Sequence, residues 1–143
     1  SSDNAFAGVQ EKIDAFEKQV SDLITIQKNF NDETRSWKII KFQRLKMQAN
    51  FNVFQMGNKL SSLEKQLSAI GDRTFPYNAT EDDGTKIKKE TTGNKLIEQF
   101  ENKQDKIIKS LIADGITSKS VVSNESAASI ASGQNRGRNP FGG

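Results

Sequence analysis

Three places in the sequence gather residue types that could do chemistry. Glu81-Asp82-Asp83 is the one dense acidic run and could in principle hold a cation. A calcium loop needs alternating oxygen ligands and a distal glutamate. Those are missing here, so the run reads as a solvated acidic turn, with Lys88-Lys89 balancing its charge. Ser61-Ser62 has no base beside it, and the chain contains no histidine and no cysteine. Cys- and His-based nucleophiles, Cys/His zinc sites and disulfide frameworks are thereby excluded together. Gly71, Gly84 and Gly93 stand alone rather than in a phosphate-binding loop. No catalytic group, cofactor or metal is expected, and the reading is of a protein that is not an enzyme.

The third place is the segment Trp37-Lys38-Ile39-Ile40-Lys41-Phe42-Gln43-Arg44-Leu45-Lys46-Met47, where basic and large apolar residues interleave. Such a stretch suits an anionic membrane surface, and a membrane-active or ejected protein using 37–47 as an interfacial helix is the alternative function. The favoured reading is an assembly helix whose charges stay solvated while its apolar side chains are covered. Nucleic acid is not an expected partner, since that would need a denser basic stripe. Arg136 and Arg138, set among glycines, are too few for an RNA-binding tail.

The elements that would carry this segment are helical. Phe6, Val9, Ile13, Phe16, Val20, Leu23, Gln27 and Phe30 alternate at spacings of three and four, an apolar heptad seam interrupted only by Gln27. A second seam runs through Ile39, Phe42, Lys46, Ala49, Val53, Met56, Leu60, Leu63, Leu67 and Ile70, with Lys46 as its charged member. A polar core position of this kind often fixes register and strand number. The seams fall out of register at 31–36. Either one helix of about 65 residues runs through with a local discontinuity, or a hairpin turns there. The hexad lacks Gly and Pro, which favours the single helix. The charges favour the hairpin: residues 1–36 carry four basic and seven acidic groups (−3), and 37–70 carry six basic groups against Glu64 (+5). The continuous helix is taken as the expectation and the hairpin as its alternative.

Trp37, Ile40, Met47, Phe51 and Phe54 form a further apolar stripe, with Arg44 in the gap. Two stripes on one helix call for more than one neighbour, hence a trimer or higher bundle, a hairpin packed on itself, or insertion into a larger protein. Residues 71–93 read as a linker, with Gly71 placed to cap the preceding helix. Residues 94–114 form a shorter amphipathic helix on Ile97, Phe100, Ile107 and Leu111, and 115–143 form a Ser/Gly/Asn-rich tail. The domain reading is therefore 1–36, 37–70, 71–93, 94–114 and 115–143, and the fold class is all-α, coiled-coil-type and oligomeric. Apolar residues are only 34% of the chain, which suits stripes better than a thick core. The expected interface between copies is Phe6, Val9, Ile13, Phe16, Val20, Leu23, Phe30, Trp37, Phe42, Val53, Met56, Leu60, Leu63, Leu67, Ile70, Ile97, Phe100, Ile107 and Leu111.

A long helix, a linker, a shorter helix and a Ser/Gly/Asn tail, without Cys or His, resemble the helical structural proteins of bacteriophage virions: tape-measure-like segments and neck, fibre or core components. The resemblance implies repeated copies packed against larger structural proteins, and assigns no functional residue. Neither a signal peptide nor a membrane-spanning run is read in the chain, so a virion or cytoplasmic setting is expected.

Overall fold

A computed structural model describes residues 4–33 and 39–119. A short 3-10 turn at Asn4–Phe6 leads into α1 (Val9–Glu33), followed by α2 (Ile39–Ile70), strands β1 (Thr74–Thr80) and β2 (Lys86–Thr92), and α3 (Gly93–Ala113). Trp37, the tail from 120 onward with Arg136 and Arg138, and residues 34–36 of the polar hexad lie outside the described residues.

The chain is mostly helical, but it is not all-α. The expected linker is instead an antiparallel hairpin, paired from Thr74↔Thr92 to Thr80↔Lys86. Its first strand has the period of a half-buried strand, with Phe75, Tyr77 and Ala79 buried and the residues between them turned out. Its turn is built on Asp83 and Gly84. The Asp83 carboxylate accepts from the backbone N–H of Thr85 at 3.0 Å and from its hydroxyl at 2.7 Å. Gly84 has φ +89°, open to a residue without Cβ. The acidic run is thus turn chemistry.

The single long helix is also corrected. Along one α-helix, residues 30 and 42 would lie about 18 Å apart and residues 5 and 66 about 90 Å apart. Instead the Phe30 and Phe42 rings stack at 4.5 Å, and the Gln66 side-chain amide donates to the Ala5 carbonyl at 2.8 Å. α1 and α2 therefore run antiparallel, seam against seam. The acidic first helix and the basic second one lie side by side, so unlike charges flank the seam.

Where the seams meet, the core forms within one chain. Ile13, Phe16 and Leu23 of α1 and Met56, Leu63 and Leu67 of α2 are fully buried, as are Val9, Val20, Phe30, Val53, Leu60 and Ile70 nearly so. α3 closes the remaining side with Leu96, Phe100, Ile107 and Leu111, and Phe100 meets Phe16 at 5.0 Å between ring centroids. Phe6, Phe42 and Ile97 are half-buried against this cluster. These residues, expected between copies, are covered within the chain by its own helices. Ile26 and Ile116 join the core from outside the seams.

Backbone close approach joins the second helix to the third. Gly71 has φ +65° and donates its N–H to the Leu67 carbonyl at 2.9 Å, ending α2. Gly93 packs directly on that end: a Cβ there would collide with the Leu67 carbonyl oxygen and press on the backbone of Gly71. Asn94 donates its N–H to the Gly71 carbonyl at 3.0 Å, and Thr92 caps α3 by accepting from Lys95 N–H at 3.1 Å.

The polar seam members serve tertiary roles. The Gln27 side-chain amide donates to the Ser110 hydroxyl and to the Asp114 carboxylate, each at 2.6 Å, and Asn31 joins Asp114 at 2.9 Å. These bonds hold the Asp114 carboxyl below its usual range and latch the end of α3 to α1. Lys46 lies with its ammonium 6.0 Å from the Phe42 ring centroid. Gln19, itself buried, pairs with Asn52 and accepts from Lys59 at 2.8 Å.

Candidate functional site

α2 is the longest element and its two halves have different neighbours. Its C-terminal half is covered by α1 on one side and α3 on another. α3 ends at Ala113, and the turn after it reaches Asn50, where the Thr117 hydroxyl bonds the Asn50 side chain at 2.6 Å. N-terminal of that level, α1 is the main cover, through the Phe30–Phe42 stack and the half-buried Leu45.

What remains open there is apolar. Ile40 is 68% exposed, Met47 69% and Phe51 60%, while Phe54 is half-buried. At about 100° per residue, Ile40, Met47 and Phe51 fall within about 40° of one another, roughly opposite the face carrying Ala49, Val53, Met56 and Leu60. The stripe thus points straight away from the core. Arg44, exposed, lies in the gap of this stripe, and Lys41 is exposed on its flank. No acidic residue occurs between Ile39 and Leu63. Single exposed apolar residues need no explanation, but an aligned Ile-Met-Phe stripe bordered by positive charge is a docking surface in form. Sequence spacing singled out this stripe, although only Trp37 of it was included among the expected interface residues; the seam residues proper are core.

No described region offers a comparable chemical site. Among the described residues, no group of three or more acidic side chains could hold a metal. A shallow, open depression lies between Gly8, Glu11, Ser62, Lys65 and Gln66 near the start of α1, without converging titratable groups. Two carboxyls are raised above their ordinary range. Burial raises the Glu17 pKa, opposed by Lys103, by a hydrogen bond from Thr80 and by Lys86. Burial, a hydrogen bond to Glu101 and that carboxylate's charge together raise Glu64 to about 7. Sequence periodicity could not show this pair, because the two glutamates lie on outer helix positions that only tertiary packing brings together.

No protein-family model, no curated protein and no solved structure matches this chain.

Proposed function

We propose that this chain is a non-enzymatic structural component that docks on a larger assembly through the outer face of α2. The observation that carries the reading is the exposed Ile40–Met47–Phe51 stripe on a helix whose other face is fully committed to the core. We take the α1–α2 pair as an antiparallel coiled-coil-type hairpin that presents this stripe rigidly, and a virion or phage tail as the setting. Covering each of these large side chains contributes on the order of 1.5–3 kcal/mol. Three of them with a fitted rim are enough for docking that is reversible on its own and strong when many copies act together.

The occupant we assign is an amphipathic helix of a partner protein with acidic residues along its flanks. Charge complementarity selects it: Arg44 and Lys41 border the stripe and nothing acidic lies near in sequence. Two copies of this chain meeting stripe to stripe would bring like charges together, which disfavours the oligomer expected from the seams.

The test titrates two designed amphipathic helices with identical leucine faces, one flanked by Glu and one by Lys, into the purified chain. The Glu-flanked helix is expected to perturb the amide resonances of Ile40, Met47 and Phe51 and to bind at least tenfold more tightly. The double variant Met47→Asp/Phe51→Asp should keep the helical spectrum and lose the binding. Equal affinity for both helices would remove the charge argument. Preference for phosphatidylglycerol vesicles, with a blue shift of Trp37 fluorescence and no response to either helix, would replace the reading with the membrane-surface one. A native mass showing stable trimers of the wild-type chain that Met47→Asp/Phe51→Asp dissociates would replace it with self-assembly.

A further inference from the structure

The two outer edges of the β-hairpin are treated in opposite ways. Antiparallel pairing makes alternate residues turn their backbone N–H and C=O inward to the partner strand or outward to the edge. On β1 the outward residues are Thr74, Pro76, Asn78 and Thr80, and the two central ones offer a new strand no free N–H. Pro76 has no N–H to offer. Asn78 is bound on both sides by one side chain of α1: its N–H donates to the Gln10 carboxamide oxygen at 2.8 Å, and its carbonyl accepts from the Gln10 amide at 3.0 Å. Gln10 thus imitates a neighbouring strand. Asn78 pairs with Lys88 and Pro76 with Glu90, so on β2 the outward residues are Lys86, Lys88 and Glu90. No described residue bonds the outward backbone groups of Lys88 or Glu90, and every residue from Lys86 to Glu90 is exposed.

We propose that the outer edge of β2 is a docking site for an extended acidic segment of a partner protein, which adds there as a third strand. The inference is independent of the α2 stripe. Three lysines and one glutamate occupy positions 86–90, a local charge of +2. Lys86 contacts Asp14 at 3.2 Å and Lys89 contacts Glu81 at 4.0 Å. Both are half-exposed surface pairs of the kind that exchange readily. Lys86 and Lys88 share the solvent face of the hairpin, while Ile87, 41% exposed, lies on the opposite face with Tyr77 and Ala79. A strand alternating acidic and apolar residues therefore meets Lys86 and Lys88, with Glu90 beyond them, on one face, and Ile87 beside Lys89 on the other.

The lysines also select against the obvious competitor. A second copy adding its own β2 antiparallel about a two-fold axis at Lys88 would set Lys88 against Lys88, and like charges directly opposite are destabilising. Lysine on an open edge commonly serves as a guard against such pairing; here it leaves acidic strands as the partners that gain.

The experiment uses the full chain and a fluorescent five-residue peptide, Glu-Val-Glu-Val-Glu, with blocked ends. Fluorescence anisotropy should show binding at least tenfold tighter than for Lys-Val-Lys-Val-Lys, with amide shifts confined to 86–90. The same acidic peptide N-methylated at every backbone amide keeps its charge but loses the edge hydrogen bonds, and should bind at least tenfold more weakly. Lys88→Pro reproduces on β2 what Pro76 does on β1. It removes an outward N–H without touching the inward ladder, and should weaken binding by a similar factor. If that variant fails to fold, the N-methylated peptide alone decides. Equal binding of the N-methylated peptide would reduce the site to surface charge and overturn the proposal. So would absent binding, or shifts that map to Ile40, Met47 and Phe51 instead.

Discussion

The two halves of α2 have similar apolar content but different surroundings. From Met56 to Ile70 the helix lies between α1, α3 and the base of the hairpin, and its large side chains are buried. From Ile40 to Phe54 it carries two apolar stripes, and α1 together with the turn after α3 covers only one of them. The difference lies in what the outward face carries: Ile40, Met47 and Phe51 in this half, Asn58, Lys65 and Ala69 in the other. A helix face turned away from every neighbour becomes surface, and its residue types decide what that surface can do.

Substitutions can break this contrast, and the largest effect is expected at the covered end. Gly93→Ala forces a Cβ into the Leu67 carbonyl where α3 leaves the hairpin, and neither backbone can retreat without parting α2 from α3. A loss of about 4 kcal/mol or outright unfolding is expected by chemical denaturation. Gly57→Ala is the control: a Cβ there meets nothing within 4 Å, and the helix should gain about 0.5–1 kcal/mol. If both glycines behave alike, the close approach of α3 to α2 is wrong.

Next comes Leu63→Ala, which removes a fully buried side chain and should cost about 3 kcal/mol. Urea midpoints of the purified chain measure it. A cost that depends on protein concentration would show that Leu63 is buried between copies after all.

The raised Glu64 carboxyl, beside Glu101, gives a smaller, pH-dependent effect. Glu64 ordinarily titrates near 4.5 and is raised to about 7 in the fold. Between these values the unfolded chain has released the proton and the folded chain retains it. Stability therefore falls as pH rises through that window and levels off above it. Solvent screening at this half-exposed site limits the change to about 1 kcal/mol. Glu64→Gln should flatten the profile between pH 4.5 and 7; an unchanged slope would place the proton elsewhere.

The smallest stability effect is expected at the open end. Phe51→Ala removes a side chain that points into solvent and should shift stability by less than about 0.5 kcal/mol, while weakening any docking through the stripe. A loss approaching that of Leu63→Ala would mean that Phe51 is covered in the free chain.

Much of this fold could be read from spacing alone. The apolar residues at three-and-four intervals from Phe6 to Ile70 are helix stripes in the structure, and Gly71 ends α2 in the left-handed region. The hairpin escaped for physical reasons. β2 reads Lys86-Ile87-Lys88-Lys89-Glu90-Thr91-Thr92, with no alternation to betray a strand, because neither of its faces is deeply buried. Pro76 occupies an outward edge position where a missing N–H costs nothing. The signal that could have found the hairpin was the apolar alternation of Phe75, Tyr77 and Ala79 followed by Asp83-Gly84. The candidate stripe was legible as a pattern, but its exposure was not.

By itself the sequence determined that α1 and α2 form as helices with apolar stripes, because side-chain periodicity is local and follows from 3.6 residues per turn. Which surface covers each stripe is a matter of reach and direction across the whole chain, and only the tertiary structure decided it. It folded α1 back on α2, turned an apparent linker into a hairpin, and left Ile40, Met47 and Phe51 on the face of α2 turned away from both α1 and α3. Periodicity states that a face is apolar; only the neighbours that arrive determine whether that face becomes core or a place for something else to bind.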